Sequence, residues 1–159
     1  MPLLYHPPLS RLIGEFKFGH KLHLAKPLSR LFCQLAPDNL PMPELIVPIP
    51  LHPHRLRERG FNQSLELARR VAAEFDLRIN WQHCRRTRPT PPQTGLDLNA
   101  RRRNLKSAFE ADSALAGRHI ALFDDVITTG STVTAASQAL LRAGADRVDV
   151  WALARTPQA

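Results

Sequence analysis

Apolar and polar positions alternate along this chain with two different periods, and the change of period divides it. Leu9, Leu12, Ile13 and Phe16 recur at helical spacing, so Pro8 to Phe18 reads as a helix with Gly19 as its stop. A second helical stretch, roughly Leu22 to Leu35, contains Pro27, which either kinks the helix or starts it. Prolines 37, 41 and 43 form a linker into a short buried strand, Glu44 to Ile49, and Pro50 to His54 reads as a rigid turn. Asn62 is placed to cap an amphipathic helix running to about Phe75, and Arg78 to Cys84 alternates as a strand. Phe75 and Trp81 are expected in the core, with Cys33 and Cys84 as buried small hydrophobes.

From Thr87 to Gly95 the prolines and glycine exclude regular structure, and this stretch runs into Arg101–Asn104. A loop of such length inside a compact domain is expected to be functional. The apolar run His119–Phe123 predicts a buried strand, Asp124–Gly130 a turn, and Ser131–Ala143 a helix closed by Gly144. Asp146 to Ala154 closes the pattern as a strand with Val148, Val150 and Ala152 on one face. Strand, helix and strand within about 30 residues make a βαβ unit, hence an α/β fold with a mainly parallel central sheet flanked by helices. The pattern predicts one structural domain: a helical N-terminal segment, 1–43, packed on a core of 44–159.

Composition narrows the class. The chain has 159 residues, enough to bury roughly two-thirds of its unfolded surface. Two cysteines make neither a disulfide framework nor a structural zinc site, which points to a reducing compartment. No signal peptide and no window of 18 apolar residues is present, so a cytoplasmic protein with no membrane span is expected. The formal charge is +8, and it is clustered. Residues 1–84 carry a net +4, residues 85–106 a net +6, and residues 107–159 a net −2. A cationic cluster is a polyanion site, without saying which polyanion.

The chemistry sits after the strand at 119–123. In an open parallel sheet, ligands bind at the carboxyl ends of the strands, where a helix N-terminus offers N–H groups to an anion. Here the strand delivers two adjacent carboxylates, Asp124 and Asp125, and Thr128, Thr129, Gly130, Ser131 and Thr132 open the next helix. The hydroxyls and the glycine suit a phosphate. The carboxylates suit vicinal hydroxyls or a hydrated magnesium ion. Phosphate and diol side by side describe a ribose 5-phosphate. The competing reading is an ordinary capping turn beside two solvated acids. Neither the P-loop string nor the dinucleotide glycine fingerprint occurs in the chain.

The acid–acid–x–x–Thr–Thr–Gly–x–Thr string resembles the signature of type I phosphoribosyltransferases. Tyr5–Leu9, Leu12–Phe18, Pro48, Arg55–Gln63, Thr90–Leu96 and Arg101–Leu105 with Ala108 and Phe109 resemble the ComF/GntX-like competence protein F family of that fold, across nearly the whole chain. The resemblance implies that Asp124 and Asp125 bind the ribose 2- and 3-hydroxyls and that Thr128 to Thr132 hold the 5-phosphate of phosphoribosyl pyrophosphate. It places Arg55, Arg57, Arg59 and Gln63 on the pyrophosphate side, and Arg101 to Arg103 as cations of a closing loop, with Arg101 and Arg103 catalytic. Magnesium would be the cofactor, held mainly by the substrate and not by direct protein ligation. Members of that family commonly begin with a four-cysteine zinc module, which this sequence lacks.

The resemblance implies transfer or sensing of the phosphoribosyl group, a pentosyltransferase activity with an unnamed acceptor. Its alternative is a DNA-uptake protein that handles single-stranded DNA, with the pocket regulatory; self-association into a homo-oligomer stays open. Against the DNA reading, residues 85–106 contain no aromatic side chain on which bases could stack. A third reading is a catalytically silent partner module. Several single residues keep two readings. The arginines could be solvated surface, Asn62 a cap, Gln63 a ligand contact, and His52 and His54 either turn residues or acid–base groups.

Overall fold

A computed structural model of the chain describes residues 3–88 and 108–157, and the elements below are those of the described residues. In chain order they are β1 (Leu3–Leu4), α1 (Leu9–Phe18), a 3₁₀ turn (Leu22–Leu24), α2 (Ala25–Leu35), β2 (Leu45–Pro48), α3 (Pro53–Arg59), α4 (Gln63–Glu74), β3 (Arg78–Ile79), β4 (Cys84–Arg86) and β5 (Phe109–Ala111). After a second 3₁₀ turn (Ser113–Leu115) come β6 (His119–Ile127), α5 (Ser131–Arg142) and β7 (Arg147–Arg155). The main sheet is ordered β1-β7-β6-β2-β3, and all four of its pairings are parallel. β4 and β5 pair antiparallel as a separate ribbon.

Because side chains alternate along a strand, a central strand covered on both faces must be apolar at every position. β2 is buried at all four residues, and it pairs with β6 from Leu45↔Ile120 to Pro48↔Phe123. Leu45, Val47, Ile120 and Leu122 pack under Val133, Ala136 and Leu140 of α5, together with Cys84 and Phe109 of the ribbon. On the other face Ile46, Ala121, Phe123 and Trp151 meet Ile13 and Phe16 of α1, Leu28 of α2, and Leu67 and Val71 of α4. Helices cover both faces of the parallel sheet, as the strand–helix–strand spacing predicts.

Four expectations are corrected. Pro53 starts a helix, α3, where a rigid turn was expected; His52 Nδ1 accepts from His54 N and Gly60 (φ 77°) ends it. α3 buries no residue, which is why apolar periodicity does not reveal it. The strand expected over 78–84 breaks after Ile79, because Asn80 Oδ1 accepts from Gln82 N and His83 N and turns the chain. Trp81 consequently lies 51% exposed and outside the core. Finally, β6 does not stop at Phe123 but runs through both acids to Ile127, paired with β7 as far as Arg155. Pro27 lies in the first turn of α2, so the helix starts there and is not kinked by it.

Candidate functional site

β2 leads on to β3 on one side of the sheet, and β6 leads on to β7 on the other. The order of connection therefore reverses between β2 and β6, and their carboxyl ends open a crevice there. The loop after β2 is fixed from both ends. Ile49 N donates to Phe123 O at 2.8 Å, and Asn62 Nδ2 donates to Ile49 O at 3.0 Å. Asn62 Oδ1 also accepts from Ser64 N and Leu65 N, so one side chain caps α4 and pins the loop.

At the end of β6, Asp124 and Asp125 are 8% and 2% exposed. Asp124 Oδ1 accepts from Ser64 Oγ at 3.0 Å and from Asp125 N at 2.9 Å. Asp125 Oδ2 pairs with Lys17 Nζ at 2.5 Å. Burial, with the neighbouring Asp125 charge behind it, pushes the Asp124 carboxyl up to about 8; the bonds from Ser64 and from the Asp125 backbone oppose the rise. Near neutral pH, Asp124 can therefore either donate to a hydroxyl or accept from one.

Cations surround the acids. Arg59 lies over the Phe18 ring at 5.1 Å, and its Nη1 donates to Gln63 Oε1 at 2.7 Å. Burial lowers its pKa and the charge of Asp125 raises it back in part. Arg86, over the Phe109 ring at 5.4 Å, is likewise lowered by burial and supported by Asp124. Each acid thus has an arginine in its field, besides the lysine on Asp125.

The turn after β6 carries exposed Thr128 and Thr129, then Gly130 at φ 76° as the N-cap of α5. Thr129 Oγ1 and Ser131 Oγ bond to each other at 2.9 Å, and Thr129 Oγ1 also accepts from Ser131 N at 3.4 Å. Among the described residues no side chain accepts from the remaining first-turn N–H groups, those of Thr132 and Val133. Thr156 latches the turn to the end of β7 through its N–H on Ile127 O and its hydroxyl on Thr128 O.

Of the residues predicted from sequence, Asp124, Asp125, Arg59 and Gln63 come together, with Thr128–Thr132 on the adjoining turn. Arg55 is exposed but lines a small cleft with Lys17 and Arg59, whereas Arg57 is exposed on α3 and does not line that cleft. Arg101, Arg102 and Arg103 lie outside the described residues, although Thr87 N donates to Ala108 O at 2.9 Å beside that segment. Sequence reasoning missed Lys17, Ser64 and Arg86. A usable signal existed for two of them. Ser64 falls in register with the buried positions Leu67, Ala68 and Val71, and Lys17 continues the stripe of Ile13 and Phe16. A polar side chain on an inward face needs a partner, and both partners are the acids.

Among the described residues no group of three or more His, Cys, Asp or Glu is arranged to hold a metal ion, and no helix is long and apolar enough to cross a membrane.

No family model matches the chain. It is 42% identical over 164 residues to DNA utilization protein YhgH of Escherichia coli K12, covering 96% of this chain and 69% of that protein. It is 37% identical over 159 residues to competence protein F of Haemophilus influenzae Rd, covering 95% and 69% respectively. Among solved structures, a glutamine phosphoribosylpyrophosphate amidotransferase from B. subtilis, complexed with ADP and GMP, superposes with a TM-score of 0.55 at 17% identity. That match covers 81% of this chain and only 26% of the amidotransferase, and it speaks for the fold alone. With relatives this similar over nearly its whole length, the chain belongs to the family of competence protein F and DNA utilization protein YhgH.

Proposed function

We propose that the chain binds phosphoribosyl pyrophosphate with magnesium at the crevice between β2 and β6, and transfers or senses the phosphoribosyl group. The observation that carries this reading is the buried pair Asp124 and Asp125, beside the glycine-capped start of α5 at the point where the sheet reverses. The helix N-terminus and the hydroxyls of Thr128, Thr129, Ser131 and Thr132 take the 5-phosphate. The paired carboxylates take the vicinal ribose hydroxyls, which no phosphate-only site requires. Arg59, oriented by Gln63 and Phe18, and Arg55 beside it face the pyrophosphate end.

The donor set fits magnesium in one way. Substrate oxygens and water would hold the ion, without direct protein ligation, while the two adjacent carboxylates, one already engaged by Lys17, lend it a negative field. Bound there, magnesium would offset charge on the departing pyrophosphate. The chain's own contribution is to orient the sugar, exclude water from the buried acids and hold cations near the leaving group. As an enzyme it would be a pentosyltransferase. The names of its relatives favour a second reading, a role in DNA utilization or competence that calls on the same pocket. Arg101 and Arg103 are proposed as cations of the closing segment, and phosphoribosyl pyrophosphate as the partner.

Incubation with labelled phosphoribosyl pyrophosphate, magnesium and a cell extract tests the reading. Transfer predicts label on a new product with pyrophosphate released. Sensing predicts label retained by the protein and displaced by unlabelled ligand. The absence of both a labelled product and retained label would contradict the proposal.

A further inference from the structure

We propose that Lys17 binds the anionic leaving group directly: its ammonium bridges Asp125 and the diphosphate, so the N-terminal helix completes the pocket that α3 begins. Three observations carry this inference, which rests on the ribose 5-phosphate reading of the acid pair.

Among the described residues Lys17 alone forms an ion pair with either acid, and its side chain is 17% exposed, so it is neither sealed nor free. Its position is fixed by the core, because Ile13 and Phe16 on the same helix are fully buried. Lys17 also lines a cleft of about 190 Å³ together with Phe18, His20, Arg55, Glu58 and Arg59. Three permanent cations and a histidine face one acid there, and that acid also lies 3.5 Å from His54. An ammonium has three donors. The ion pair with Asp125 occupies one side of the ammonium, which leaves donors for an anion in this cleft. The third observation concerns substrate chemistry. The diphosphate and the 2-hydroxyl occupy adjacent ribose carbons, so a cation paired with one of the two acids that take the vicinal hydroxyls stands within reach of the diphosphate.

A purely structural ion pair is the competing explanation, and the two differ in what a ligand fragment feels. Calorimetric titrations of the full chain in magnesium, with phosphoribosyl pyrophosphate, inorganic pyrophosphate and ribose 5-phosphate as separate probes, distinguish them. Lys17→Gln should weaken the first two by about tenfold or more, the usual scale of one charge-assisted hydrogen bond, and leave ribose 5-phosphate within about twofold. Lys17→Arg should restore most of the loss, and Lys21→Ala, an exposed cation paired with Glu15, should change nothing. If Lys17→Gln fails to fold, Lys17→Met, which keeps the aliphatic stem and removes only the charge, carries the same comparison. Undiminished pyrophosphate binding by the folded variant, or an equal loss for all three probes, would overturn the inference alone. A wild type that binds none of the three overturns the ribose reading and this inference with it.

Discussion

Asp124 is the residue at which binding and folding make opposite demands. Its carboxyl is pushed up to about 8, so between about pH 4 and that value the folded chain holds a proton that the unfolded chain has released. The group's contribution to stability is therefore full below about pH 4 and is lost as the pH rises towards 8. Asp124→Asn keeps an acceptor for Ser64 and removes the titration. Thermal melts should show the variant more stable than wild type at pH 8, with the difference shrinking towards pH 5. Equal shifts at both pH values would mean that Asp124 does not titrate in this range. Ser64→Ala removes the hydroxyl bonded to Asp124 and should cost about 1–3 kcal/mol in denaturant unfolding. Burial also pushes the thiols of Cys84 and Cys33 up, to about 12 and about 11. Both should resist alkylation at pH 8 in the folded chain and react once it is unfolded.

At the scale of elements, two loops hold the site, each through one residue. Asn62→Ala removes the cap of α4 and the pin on Ile49 O together, for about 2–3 kcal/mol. Asn62→Asp keeps the cap and loses only the donor to Ile49, so urea unfolding should place it between wild type and the alanine variant. A stability equal to wild type would mean the pin contributes nothing. Gly130→Ala meets no atom within 4 Å, so its cost is the left-handed backbone alone, about 1 kcal/mol, or a few degrees in Tm. Much of this was legible in the sequence. Asn62 as a cap and the strand–turn–helix around residue 130 follow from local chemistry. What local pattern does not reveal is a short polar helix such as α3, or a strand that carries charge inward. β6 continues through Asp124 and Asp125 because its neighbour β7 keeps pairing, and that tertiary fact overrides the preference of aspartate for turns.

For the whole molecule, the +8 charge has two candidate owners. Residues 85–106 hold much of it, and one of them, Arg86, joins Lys17 and Arg59 in directing charge at the acid pair, from three different elements. The mainly parallel sheet flanked by helices could be read from the strand–helix–strand spacing, and the candidate site from the acid and threonine string. The convergence of α1 and β4 on the acids could not, because it depends on packing between segments distant in sequence. If the basic residues also serve DNA, oligonucleotide affinity should fall steeply with salt, with a slope reduced by Arg101→Ala. A flat salt response would assign the charge to the small anion. The central claim concerns the crevice between β2 and β6. A calorimetric titration with phosphoribosyl pyrophosphate in magnesium, on wild type and on an Asp124→Asn/Asp125→Asn double variant, tests it most directly. Saturable binding by the wild type and its loss in the folded double variant are the predicted result; no binding by the wild type, or equal binding by both, would contradict it.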